Sequence, residues 1–93
     1  MALFRKKPVV IEAFCLGVDA MPDWFVNARN SGLVRTYAEN NEEGPFGSEL
    51  SHATIETLEG THRADHGDWV IRGVKGELYP CKPDIFSMTY EEA

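Results

Sequence analysis

Between His66 and Lys82 the chain places three cations, Arg72, Lys75 and Lys82, beside two flat rings, Trp69 and Tyr79, and the imidazole of His66. Cations make charge-assisted hydrogen bonds to phosphate oxygens, and aromatic faces stack on flat ligands. On a chain whose remaining surface is acidic, such a group suits a small phosphorylated or nucleotide-like molecule. His66 would add a further cation below its ordinary pKa of about 6.5. The plainer reading of the same residues is a solvated hairpin, with Trp69 and Tyr79 packed on the core and the long basic side chains lying along apolar surface.

Other chemistry finds weaker support. His62 and His66 are four residues apart, with Cys81 as a third metal ligand, but that spacing brings two side chains together only on a helix. Here the pair falls on a strand and a turn, and His52 adds little, so neither a metal nor a cofactor is expected. Cys81 with His66, or Ser51 with His52, would pair a nucleophile with a base, yet neither sits in a nucleophile turn. Asp65 and Asp68 read as turn residues that bond their own backbone more readily than as a pair of catalytic carboxylates. Gly73-Val74-Lys75-Gly76 lacks the length and the following helix of a phosphate loop. No catalytic residue is therefore assigned.

Composition limits the remaining classes. The chain has 93 residues, 43% hydrophobic and 26% charged, the balance of one folded domain spanning 1–93 and not of a disordered segment. Nine basic against fifteen acidic residues give a formal charge of −6, which argues against a general binder of nucleic-acid backbones. The basic cluster Arg5-Lys6-Lys7 is not followed by an apolar run of signal-peptide length, because Glu12 interrupts Val9 to Leu16. With no membrane-spanning stretch either, a cytoplasmic protein is expected, with Cys15 and Cys81 as buried free thiols. So small a domain with many aromatics gains by self-association, which predicts a homo-oligomer, most simply a symmetric dimer.

The elements that must carry these residues follow from periodicity. Lys7 to Leu16 reads as a first strand, apolar on both faces and hence central. Pro22 opens a helix whose Met21, Trp24, Phe25 and Ala28 share one face and which Gly32 ends. Leu33 to Tyr37 is a strand, residues 38–50 form an acidic loop containing Phe46, and Thr54 to Glu59 is another strand. Gly60 turns the chain, and Thr61 to Ala64 continues briefly. Trp69 to Arg72 and Glu77 to Tyr79 make a hairpin around Gly73-Val74-Lys75-Gly76. Pro83 begins a helical turn that carries Ile85, Phe86 and Met88 back onto the sheet. The expected fold is α+β: a mostly antiparallel sheet of about five strands, one amphipathic helix packed on it and a short C-terminal helical turn.

The run His66-Gly67-Asp68-Trp69-Val70 resembles the signature of the PGDYG family of small phage and prophage proteins, with His66 in place of the motif's proline and Trp69 as its aromatic residue. The opening Phe4-Arg5-Lys6-Lys7-Pro8-Val9-Val10-Ile11-Glu12-Ala13 is similar to that of many such proteins. The resemblance covers about a third of the chain, residues 4–13 and 64–86, and carries no catalytic residue across. It implies a phage origin, a compact fold and action in a host cytoplasm by occupying a host molecule. The first functional expectation is therefore a non-catalytic counter-defence protein that sequesters a nucleotide-like host signal through Trp69, Arg72, Lys75, Tyr79, Lys82 and His66. The alternatives are an acidic inhibitor that docks on a host enzyme and a small hydrolase acting on a nucleotide.

Overall fold

The alternation in Trp69-Val70-Ile71-Arg72 and Leu78-Tyr79-Pro80-Cys81 does build an antiparallel hairpin, and the rest of the fold is assembled on either side of it. The computed structural model describes residues 1–5, 7–38 and 50–93; residues 39–49 of the expected acidic loop, Phe46 among them, lie outside the described residues. In chain order the elements are β1 (Glu12–Cys15), α1 (Asp23–Ser31), β2 (Val34–Ala38), β3 (Leu50–Thr57), β4 (Gly60–Asp65), β5 (Trp69–Arg72), β6 (Leu78–Cys81) and α2 (Pro83–Thr89).

The class is α+β, but the strands form two three-stranded antiparallel sheets, ordered β1-β5-β6 and β2-β3-β4, and not one sheet of about five strands. The turn after β4 explains the division. Gly67 N–H donates to the Leu16 carbonyl and Leu16 N–H to that of Asp68, both at 2.8 Å, so the chain leaving β4 is captured by the end of β1. From there β5 pairs with β1, Trp69 opposite Cys15 and Arg72 opposite Glu12. That register also shortens the first strand, expected from Lys7. Beyond Arg72 the chain enters the β5–β6 turn, so residues 7–11 have no strand to pair with among the described residues, and β1 is an edge strand instead of a central one.

The two sheets and α1 share one core. Phe14, Leu16, Val70 and Leu78 come from the first sheet and its margins, Val34, Ala53, Ile55 and Ala64 from the second, and Phe25 and Ala28 from α1. Met21 and Trp24 pack against it, which is the helical face the spacing predicts. The rings of Phe14 and Phe25 meet edge to face with centroids 4.8 Å apart. Gly32 ends α1 at φ 90°, a conformation that a side chain would disfavour, and its N–H bonds the Arg29 carbonyl.

Two local features position the hairpin. Gly76 adopts φ 84° and donates its N–H to the Gly73 carbonyl at 2.9 Å, closing the turn. Pro80 lies inside β6 and does not end it; an edge strand tolerates a residue without an N–H. In α2 only Phe86 returns to the sheet. Ile85 and Met88 remain 50% and 80% exposed, because the seven-residue helix turns a single side toward β5.

Candidate functional site

Strand register sorts the expected ligand-binding residues onto different surfaces. Opposed residues of an antiparallel pair point to the same face, so Trp69, Ile71, Tyr79 and Cys81 share one side of the first sheet, and Val70, Arg72, Leu78 and Pro80 the other. The first side is covered by α2. Phe86 stacks on Trp69 with centroids 4.2 Å apart and planes 4° from parallel, and Tyr90 follows at 5.1 Å from Phe86. The Tyr79 and Tyr90 hydroxyls stand 3.5 Å apart. Burial, then the hydrogen bond to Tyr90, pushes the Tyr79 phenol up to about 12, so it stays protonated at all ordinary pH.

The cations have contacts of their own away from the Phe86 stack. Arg72 lies at the end of the opposite face, where its guanidinium bonds Glu12 at 3.1 Å. Lys75 occupies the β5–β6 turn, and its backbone N–H donates to the Glu77 carboxylate at 2.9 Å. Lys82 ties down two carboxylates, Asp68 at 2.8 Å and Asp65 at 3.2 Å. His66 is exposed in the turn between the sheets, its ring lying directly over Gly17, and its N–H donates to the Ser51 carbonyl. The sequence grouping of Trp69, Arg72, Lys75, Tyr79, Lys82 and His66 is thus a set of neighbours along the chain that the fold does not gather into one pocket.

Asp65 and Asp68 act as the turn residues their types suggest. Asp68 is 5% exposed, and its carboxylate accepts the Asp65 N–H at 2.8 Å as well as the Lys82 ammonium. Hydrogen bonds from Arg63, then from Lys82, hold the Asp65 carboxyl below the usual carboxylate range. The same contacts seen from the other side, Asp68 first and Asp65 second, raise the Lys82 ammonium above the usual lysine range.

Of the remaining candidates, Ser51 Oγ and His52 Nδ1 lie 3.1 Å apart, and the His52 ring stacks on Tyr37 at 4.6 Å. Among the described residues no group of three or more His, Cys, Asp and Glu side chains stands close enough to hold a metal ion. His62 and His66 do not converge, since His62 lines a groove between the sheets while His66 covers Gly17. Cys15 and Cys81 are free and half-buried, less enclosed than expected. Burial first, and nearby carboxylates second, push both thiols up, which keeps them protonated and weakly nucleophilic.

Two concave surfaces are prominent. One, of about 730 Å³, lies between α2 and the segment before β1; Val9, Val10, Trp69, Phe86 and Tyr90 form its walls, with Asp19, Glu91 and Glu92 around it. The other, of about 860 Å³, runs along the seam where β6 meets the tip of the β3–β4 hairpin. Its apolar surface comes from Leu33, Leu58, Leu78, Tyr79 and Pro80, and its charged groups are Glu56, Glu59 and Glu77, with His62 beside them. Arg72, Lys75, Lys82 and His66 line neither, and Trp69 and Tyr79 are divided between the two.

The seam groove is the part that sequence reasoning missed. Its residues come from segments far apart in the chain, but one local signal existed. Leu58 sits in the two-residue turn between Thr57 and Gly60, a place where an apolar side chain has no core to reach, and it is fully exposed. No family model, curated protein or solved structure matches this chain.

Proposed function

We propose that the protein is a non-catalytic binding protein whose seam groove accepts a basic, apolar segment of another protein, which is the acidic-inhibitor reading with its contact surface placed on β6 and the β3–β4 tip. The observation that supports it is the lining of the groove, where Glu56, Glu59 and Glu77 border Leu33, Leu58 and Leu78 and, among the described residues, no lysine or arginine is present. Carboxylates around an apolar floor favour a ligand that presents cations beside apolar side chains. The formal charge of −6 steers such a partner toward the surface. The resemblance of His66-Gly67-Asp68-Trp69-Val70 to the phage family makes a host protein the partner that this reading implies.

The nucleotide-sequestering alternative needs Arg72 to leave Glu12 and Lys82 to leave Asp65 and Asp68 before either meets a phosphate. Among the described residues a nucleotide hydrolase would have the Ser51 and His52 contact, between adjacent residues of one strand, on which to build a nucleophile and base. The deciding experiment is fluorescence anisotropy with a labelled ten-residue peptide of alternating leucine and arginine. Binding should weaken steeply between low and physiological salt, fall with Glu59→Lys, and be unchanged by Arg72→Ala or Lys75→Ala. A nucleotide panel that raises the melting temperature, in a manner abolished by Lys82→Ala with the peptide unbound, would overturn the proposal in favour of the phosphate reading.

A further inference from the structure

We infer that the seam groove also receives residues 2–8 of a second copy of this chain, so that the protein associates with itself through an exchanged segment. The inference rests on the groove being an acceptor for basic, apolar chain, and it names one such chain. Leu3 and Phe4 are 88% and 94% exposed, far more than large apolar side chains are left in an interior, and Arg5 and Lys7 beside them are exposed too. In sequence the run Leu3-Phe4-Arg5-Lys6-Lys7 sets two apolar residues before three basic ones. The groove presents the complement, with Leu58 and Leu33 at its margin and Glu56 and Glu59 next to them. Among the described residues the Glu56 carboxylate accepts from the neutral Thr61 hydroxyl, with Oγ1 at 3.0 and 2.9 Å from its two oxygens, and pairs with no cation, which leaves it to meet an incoming one.

The course of the chain before β1 argues for a second copy over the chain's own segment. Residues 2–8 lead into β1, at one edge of the first sheet, whereas the groove flanks β6 at the opposite edge. In its own chain the segment runs on toward Val9 and Val10, which wall the other cavity beneath α2. Exchange between two copies joins one acidic groove to one basic segment twice, a closed arrangement that buries both exposed apolar sets.

The test is sedimentation velocity of the full chain over a range of concentrations and salt. The wild type should sediment as a dimer at micromolar concentration and dissociate as salt rises. Arg5→Glu with Lys7→Glu, or Glu56→Lys with Glu59→Lys, should each weaken association by roughly tenfold or more, because each sets like charges against one another. An equimolar mixture of the two variants should associate again, since every segment then meets a groove of opposite sign. That recovery separates the inference from simple loss of folding. A wild type that stays monomeric at low salt, or a dimer indifferent to both double variants, would overturn it. The leucine–arginine peptide separates this failure from that of the functional reading: a monomer that binds the peptide refutes only the exchange, and a monomer that does not bind it refutes the groove as an acceptor.

Discussion

The turn that joins the two sheets and the groove that separates them are both rich in carboxylates, yet they differ in what those carboxylates face. At the turn, Asp65 and Asp68 are met by Arg63, Lys82 and a backbone N–H. In the groove, Glu56 is met by a hydroxyl and Glu77 by a backbone N–H, with apolar side chains around them. Charges answered within the chain hold the fold, whereas charges facing only neutral donors retain their field for a partner. The difference assigns stability to the first region and recognition to the second, and mutations should separate the two.

The largest loss should come from Asp68→Ala. It removes a nearly buried acceptor, leaving the Asp65 N–H and the Lys82 ammonium without it, and should cost about 1–3 kcal/mol. Asp68→Asn should lose less, because its amide oxygen still accepts the Asp65 N–H. Urea denaturation checks both, and an alanine variant as stable as the wild type would remove the turn from the structural side of the comparison.

The second effect is one of pH. Asp65 has its folded pKa below the unfolded value, so its contribution is present above about pH 4 and is lost as pH falls through the folded value. Lys82 has its folded pKa raised, so its contribution is present below the unfolded value of about 10.4 and is lost as pH rises through the folded one. Melting temperature against pH should show a plateau between these limits. In Lys82→Met the alkaline fall should become shallower, and the acid fall should become shallower too and end nearer the ordinary aspartate range.

Much of this division was hidden in the sequence, for a physical reason. Local patterns were legible: the apolar face of α1, its stop at Gly32, the β5–β6 hairpin and the proline-led α2 all depend on residues a few positions apart. Pairing partners were not. Nothing near Lys82 shows that it will cross to Asp65 and Asp68, and nothing near Arg72 shows that it will meet Glu12. Those long-range pairs turned a candidate phosphate site into a set of internal ties. The single five-stranded sheet failed for the same reason, because the bonds from Leu16 to Gly67 and Asp68 that start the second ladder join residues more than fifty positions apart. The groove was the least visible part, drawing on Leu33, the β3–β4 tip and β6, with only the misplaced Leu58 to mark it.

A smaller effect is expected at Arg72. Its ion pair with Glu12 joins two largely exposed side chains, 43% and 63% accessible, across the β1–β5 ladder. Exposed pairs contribute roughly 0–1 kcal/mol, so Arg72→Ala should lower stability by no more than that, and less at high salt. A double-mutant cycle with Glu12→Ala measured by urea denaturation isolates the pair. A coupling well above this range would mean that β1, although an edge strand, depends on its ion pair for docking.

The smallest change in stability should accompany the groove variants. Glu59 is exposed in the β3–β4 turn, where its backbone N–H bonds the Thr57 hydroxyl at 3.1 Å and its side chain takes no part in closing the hairpin. Reversing its charge removes no internal tie, and surface substitutions of this kind usually fall within about 0.5 kcal/mol of the wild type. Relief of repulsion from Glu56 and Glu77 across the groove even favours slight stabilisation, since the whole chain is acidic. Glu59→Lys should therefore melt at or marginally above the wild-type temperature while losing affinity for the leucine–arginine peptide. A fall in stability comparable to that of Asp68→Ala would place Glu59 among the charges answered inside the chain and erase the distinction between turn and groove.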